Sequence, residues 1–269
     1  MEAADQSRFH EFIERAEREF GGQLAGELRS ELAVLHDVRC VIFEGTRLAR
    51  AAASSQTYRG QAAAALASRI INDLRLMKIA IELGYLQQAA TLAAGMADAA
   101  FTMGAVAGDE VRAQDWVEHQ AIDASSVRVK RAILLTCEAT FPPPQVQDRR
   151  AFYLQLYSLV SSIKHANGRV LSVLGLDTRA TESVRVVLGP SAGGRVTQLA
   201  SIVTLVSADI AMRGATSFFQ SHLTSRAHIL EEVATLQQNV HDMLIAMHDT
   251  TLATLPSEQV GDTVDESAE

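Results

Sequence analysis

Lys164 and His165 stand near the end of a run that concentrates reactive side chains, Tyr157-Ser158-Leu159-Val160-Ser161-Ser162-Ile163-Lys164-His165-Ala166-Asn167-Gly168. At a helix C-terminus the backbone dipole favours a charged imidazole, so His165 could serve as a general acid with Lys164 beside it. The same placement suits a purely structural role, in which both cations complement the last carbonyls and Asn167 or Gly168 takes the left-handed cap. Ser158, Ser161 and Ser162 lie on a regular helix without a strained turn, which makes them poor nucleophiles.

Asp98 and Asp209 stand out for another reason: each is the sole charge in a long apolar stretch, residues 85–108 and 196–212. A carboxylate is costly to bury unless it meets an arginine, a hydroxyl or a helix N-terminus. Arg69, Arg75, Arg149 and Arg150 are the partners to inspect. With Tyr157 and Asn167 the two aspartates form a candidate set for a buried polar network or for the floor of a ligand pocket between helices. Both stretches are long enough to raise the question of a membrane span, but the first is mostly Ala, Gly and Gln and neither has a strong basic flank. They read as buried bundle helices.

Metal chemistry has weaker support. Asp115, His119 and Asp123 recur at four-residue spacing and could share an ion with a second helix, but without a Glu-x-x-His motif they read as a solvated face. His241-Asp242 returns as His248-Asp249, and a helix separates such histidines by about 10.5 Å, too far for one ion. That pair reads as an exposed seam suited to an oligomer contact. Neither a metal nor a cofactor is expected.

The elements that must position these residues are helices. Proline is absent from Met1 to Phe141, then occurs as Pro142-Pro143-Pro144, Pro190 and Pro256, and apolar residues recur at helical spacing. The class is all-α, an antiparallel bundle of about seven or eight helices without a substantial sheet. A first helix over 5–20, with Phe9, Phe12, Ile13, Ala16 and Phe20 on one stripe, should end at Gly21-Gly22. A second, from residue 23 to the Ala51-Ala52-Ala53 run, carries a heptad seam of Leu24, Leu28, Leu32, Leu35, Val38, Ile42 and Leu48 and needs a long partner. A third spans 59–83 with Gly84 as its cap, and a fourth, 85–107, is so rich in small residues that it should be the central helix. Gly108-Asp109 supplies a stop and an N-cap for a fifth helix over 110–139, and a sixth runs from 145 to His165. Residues 168–194 read as a hinge loop with an extended piece at 184–188, followed by helices over 195–222 and 225–248. In domain terms, 1–55 is an N-terminal helical pair, 56–250 the main bundle, and 251–269 a disordered acidic tail.

Composition narrows the function classes. With 48% hydrophobic residues the chain can bury a core easily, and 24 basic against 32 acidic residues give a net charge of −8 that disfavours polyanion binding. DNA is not an expected partner. Cys40 and Cys137, far apart, suit a reducing compartment and two small buried hydrophobes. The start, Met1-Glu2-Ala3-Ala4-Asp5-Gln6, lacks a secretory pattern, so the expected location is cytoplasmic, with no membrane attachment. Trp116 and Tyr85 read as packing anchors.

The helix ending Glu82-Leu83-Gly84-Tyr85, the Ala-rich helix with Asp98 after it, and the later Tyr-x-x-x-Ser helix closing on Lys164-His165 resemble a group of uncharacterised bacterial all-helical proteins. That group is distantly similar to HEPN (higher eukaryotes and prokaryotes nucleotide-binding) domains, and the resemblance covers residues 59–194. It implies a HEPN-like core and, in the ribonuclease members, a metal-independent site with an Arg and a His on one helix, usually completed by a second copy. Arg29 with His36, and Arg112 with His119, come near that pattern and share a helix face. An Arg beside a His could stabilise a phosphorane while the His moves protons. Composition alone supplies about two such pairs, so they do not distinguish a site. Three functions stay open. The leading one is an interaction or regulatory protein, with a protein partner or a second copy, in a bacterial stress or phage-defence system. The others are a HEPN-like ribonuclease or toxin acting on RNA, through His165 with Lys164 or through Arg112 and His119, and a small-molecule sensor with its pocket between the Asp98 and Asp209 helices.

Overall fold

The computed structural model describes residues 3–52, 57–118, 129–164, 194–223 and 227–254. Helix α1, Ala3–Ala16, passes through a π-helical turn, Glu17–Gly21, into α2, Gly22–Glu27. Then follow α3 (Arg29–Ala52), α4 (Tyr58–Glu82), α5 (Leu86–Ala107), α6 (Glu110–Val117), α7 (Val129–Thr140), α8 (Val146–Lys164), α9 (Gly194–His222) and α10 (Ala227–Thr254). The all-α class is correct, and the described residues contain no strand.

Several local signals act as the sequence predicts. The heptad seam is buried from Leu24 to Ile42, and its partners are α4 and α9. Thr57 caps α4 by accepting from the Gly60 amide, and Asp109 caps α6 by accepting from the Arg112 amide at 3.0 Å. Gly84 takes φ 83°, a conformation side chains rarely adopt, and turns α4 into α5.

Gly21-Gly22 does not end the first helix. Both residues are right-handed helical, and a Cβ on Gly21 would lie 2.1 Å from the Glu82 carbonyl oxygen. This glycine permits close passage over the end of α4; the chain changes direction instead at Leu28, φ −102° and ψ 22°. Phe12, expected on a core stripe, is 59% exposed. Cys137 is buried as expected, but Cys40 is exposed, 3.5 Å from His36 Nε2 on the outer face of α3. The expected fifth helix corresponds to α6 and α7, and residues 119–128 between them lie outside the described set. The hinge loop, with its extended piece and Asn167, and the tail beyond Thr254 also lie outside it.

Two helices share the centre. α5 has Ala89, Ala90, Ala93, Ala97, Ala100 and Phe101 buried, as its small residues predict, and α9 is buried along most of Val196 to Phe219. Among the described residues these are the two segments long and apolar enough to cross a membrane; 72% of the apolar window in α5 and 89% of that in α9 are buried within the fold. A Cβ on Gly214 would sit 2.2 Å from the Ala100 carbonyl oxygen, and Ser217 Oγ donates to Gly104 O at 3.1 Å. Advancing along both helices together, these contacts make α9 parallel to α5. Thr197 on Glu27 and Ser201 on Glu31 make α9 parallel to α3 as well. The antiparallel rule holds for neighbours such as α4 and α5, while the long 165–193 connection permits a parallel return.

Candidate functional site

Asp209 lies on the α9 face turned toward α8 and α10 and is 0% exposed. One turn along, Arg213 donates from Nε to the Tyr153 hydroxyl at 3.0 Å and holds its guanidinium 4.2 Å from the centroid of Phe141. With the Gln237 amide oriented to satisfy both neighbours, its oxygen accepts from Arg213 at 2.7–3.2 Å and its nitrogen donates to Thr216 Oγ1 at 3.0 Å. Arg213 is therefore occupied by Tyr153, Gln237 and Phe141 rather than by its own carboxylate neighbour. Among the described residues neither Asp209 oxygen has a hydrogen-bond partner, and His241 Nδ1 lies 3.9 Å from Oδ1.

The hydrogen-bond chemistry sets the histidine tautomer. Arg149 Nη1 lies 3.3 Å from His241 Nε2, and because arginine only donates, Nε2 accepts and Nδ1 carries the proton toward Asp209. Tyr153, receiving the Arg213 N–H, keeps its own hydrogen free for the carboxylate it faces. Burial raises the Asp209 pKa, opposed by Arg213, then His241, Tyr153 and Arg149. The Tyr153 phenol is also raised, by burial first and by the Asp209 charge second.

A second polar centre lies on α5. Asp98 is half-buried, and burial raises its pKa against the lowering influence of the Tyr157 hydroxyl, Arg69 and Lys164. Tyr157 is pushed up to about 12 by burial and by Asp98. Arg69 also serves Asp73, 3.6 Å away, and its Nη2 lies over Gly95, 3.2 Å from where a Cβ would stand. Tyr153 and Tyr157, one turn apart on α8, thus face one aspartate of each central helix.

Of the four arginines proposed as partners, Arg69 serves Asp98, and Arg149 reaches Asp209 through His241. Arg75 is exposed and serves neither; Arg150 has a buried Nε with no partner among the described residues. Arg213 was not among the expected partners, although its i,i+4 spacing from Asp209 was a usable signal. His241 was expected on an exposed seam and instead turns inward, with a side chain only 18% exposed. The backbones of α5 and α9 approach closely at Gly214 and Ala100, and both aspartates lie on the side of α8.

Arg112, a ribonuclease candidate, donates from Nη1 to the Ala105 carbonyl at 2.7 Å and pairs with Asp109 at 3.0 Å, closing the end of α5. His36 receives Arg39 Nη2 at 3.1 Å, and Arg29 is exposed at the start of the same helix. Lys164 is exposed at the end of α8, on the side of Asp98. His119, Asp123, His165 and Asn167 lie outside the described residues, as does the His248 side chain. Among the described residues no group of three or more His, Cys, Asp or Glu could hold a metal ion.

No protein-family model, curated protein or solved structure matches this chain.

Proposed function

We propose that this chain is a helical regulatory protein that works by binding, with the Asp209 centre as its ligand-responsive element and α8 as the helix whose position reports the response. The observation that carries the reading is a fully enclosed carboxylate with neither oxygen hydrogen-bonded among the described residues, bordered by the inward-facing Nδ1 of His241. Unsatisfied buried acceptors are costly, and where they persist they point to a strained or functional site. A change in the charge or contacts of this centre acts first on Tyr153 and Arg149, both on α8. The output, on this reading, is engagement of a protein partner or a second copy.

Two measurements on the full chain test it. Hydrogen exchange should differ between wild type and Asp209→Asn, with the change concentrated in α8 and α10. Light scattering and affinity capture should find a dimer or a retained partner whose population shifts in the variant. Unchanged exchange in α8 and α10, with a strictly monomeric mass and no partner, sinks the proposal.

A further inference from the structure

His241 stands between two helices and is bonded to one of them. Its Nε2 accepts from Arg149 Nη1 of α8 at 3.3 Å. Its Nδ1, which carries the proton of the neutral ring, stops 3.9 Å from Asp209 Oδ1 of α9, beyond hydrogen-bond reach. Among the described residues that nitrogen and both Asp209 oxygens have no hydrogen-bond partner. The ring thus has one bond made toward α8 and one left open toward α9. Phe152, also on α8, packs edge to face with it at 5.8 Å between centroids, and the 18% of the His241 side chain left exposed gives protons a route from solvent.

This arrangement suits only the neutral ring. A protonated imidazole donates from both nitrogens, so its Nε2–H would face an arginine that has donors alone, charge against like charge. Toward α9 the change is favourable. An Asp209 oxygen can accept from Nδ1–H whether or not the carboxyl carries a proton, because a carboxylic acid keeps a carbonyl acceptor, and the anion attracts more strongly. A shift of about 1 Å brings the two within bonding distance. Arg149, once displaced, still has the Phe141 ring, 5.2 Å from its guanidinium carbon. The surrounding charges are few. On α9, Arg213 opposes a positive ring but is bound to Tyr153 and Gln237; on α8, burial pushes the Tyr153 phenol up, so it stays neutral, while Asp148 is exposed and Arg150 half-buried. On α10 itself, Asp242 is exposed and accepts from Gln238 at 2.7 Å. On α3, which also touches α10, Glu44 and Arg47 bond to each other and Arg50 is exposed; Glu138 of α7 is exposed as well.

We propose that His241 is a proton-operated switch: protonation transfers its ring from Arg149 to Asp209, loosening α8 from α10 and tying α10 to α9. The proposal rests on the regulatory reading above and names the proton as the ligand to which the Asp209 centre responds. Acid therefore releases α8, and neutral or alkaline conditions hold it.

The test follows hydrogen exchange in the full chain from about pH 5 to about pH 8, the range in which imidazoles ordinarily titrate, expressed as protection factors to remove the intrinsic effect of pH. In wild type the protection of α8 should fall at least tenfold toward acid, and nitrogen NMR of His241 should show the neutral Nδ1–H form giving way to imidazolium over the same step. His241→Gln places an amide oxygen near the Nε2 position and does not titrate, so α8 should stay protected throughout. His241→Phe offers Arg149 no acceptor, so α8 should exchange at pH 8 as wild type does at pH 5. His228→Gln, at an exposed histidine of the same helix, should keep the wild-type step. Circular dichroism checks that each variant folds, and the wild-type NMR titration tests the switch without any variant. An α8 step that survives in His241→Gln, or a His241 titration that leaves α8 protection constant, overturns the proposal. If Asp209→Asn nonetheless alters exchange in α8 and α10, the switch falls while the regulatory reading stands. If it leaves both helices unchanged as well, both fall.

Discussion

Asp209→Asn should stabilise the protein at neutral pH, and the gain should vanish in acid. Burial raises the Asp209 pKa above its ordinary value of 3.8, so the folded state holds the proton more tightly than the unfolded chain does. With more protons bound in the native state, stability falls as pH rises between the unfolded and the folded pKa. The contribution from the protonated form is complete below about pH 4 and is lost as pH climbs through the folded pKa, at about 1.4 kcal/mol per unit within the interval. Asparagine is close in shape and carries no charge. The variant and wild type should therefore have similar unfolding free energies near pH 4, with the variant gaining at about that slope above it.

The opposite picture has an opposite sign. If Arg213, Arg149 and His241 held Asp209 as a well-paired anion, removing its charge would leave buried cations unmatched and cost about 3–5 kcal/mol near neutrality. Urea titrations of both proteins from about pH 4 to about pH 7 decide between them, since titrating groups remote from Asp209 are common to both and cancel in the difference. Repeating the pair in a His241→Gln background separates the imidazole contribution. A variant less stable than wild type at neutral pH, with a deficit that grows as pH rises, would refute the argument.

Three further outcomes check the packing. Gly214→Ala should destabilise by about 1–3 kcal/mol, because its methyl would meet the Ala100 backbone, whereas Gly26→Ala, with nothing within 4 Å, should gain about 0.5–1 kcal/mol; denaturant midpoints with equal slopes compare them. A thiol reagent should label Cys40 promptly in the native protein and Cys137 only on unfolding, since Cys137 is 0% exposed and its thiol is pushed up to about 11 by burial. Arg112→Ala should cost about 1–2 kcal/mol by freeing the Ala105 carbonyl and Asp109, with the loss seen as faster hydrogen exchange at the end of α5.

Which features could be read from the chain depends on how many physical uses a residue type has. The Leu24 to Ile42 seam and the small residues of α5 were legible because periodic burial has one common cause, a helix packed on other helices. Asp109 was legible because a short acceptor before a helix has a specific local job. Glycine has two, and Gly84 uses its freedom of φ while Gly21 and Gly214 use the absence of a side chain. Nothing adjacent in sequence distinguishes those uses. Histidine is similarly divided: the spacing of His241 from His248 fits a surface seam, yet the position of Asp209 on another helix draws His241 inward.

The two aspartates show the boundary most clearly. Their isolation in apolar helices marked both as costly, a statement about each residue alone that needs no tertiary knowledge. Which groups would answer them depended on α8 lying against both central helices, with Tyr153 and Tyr157 one turn apart on it. Gly214 and Ser217 occupy the α9 face against α5, and both carboxylates lie on the side of α8 rather than toward each other. A single displacement of α8 would therefore alter both centres at once, and Tyr153→Phe and Tyr157→Phe should be coupled through that helix rather than through direct contact. If the double variant loses only the sum of the two single losses, α8 does not link the centres and each aspartate acts locally.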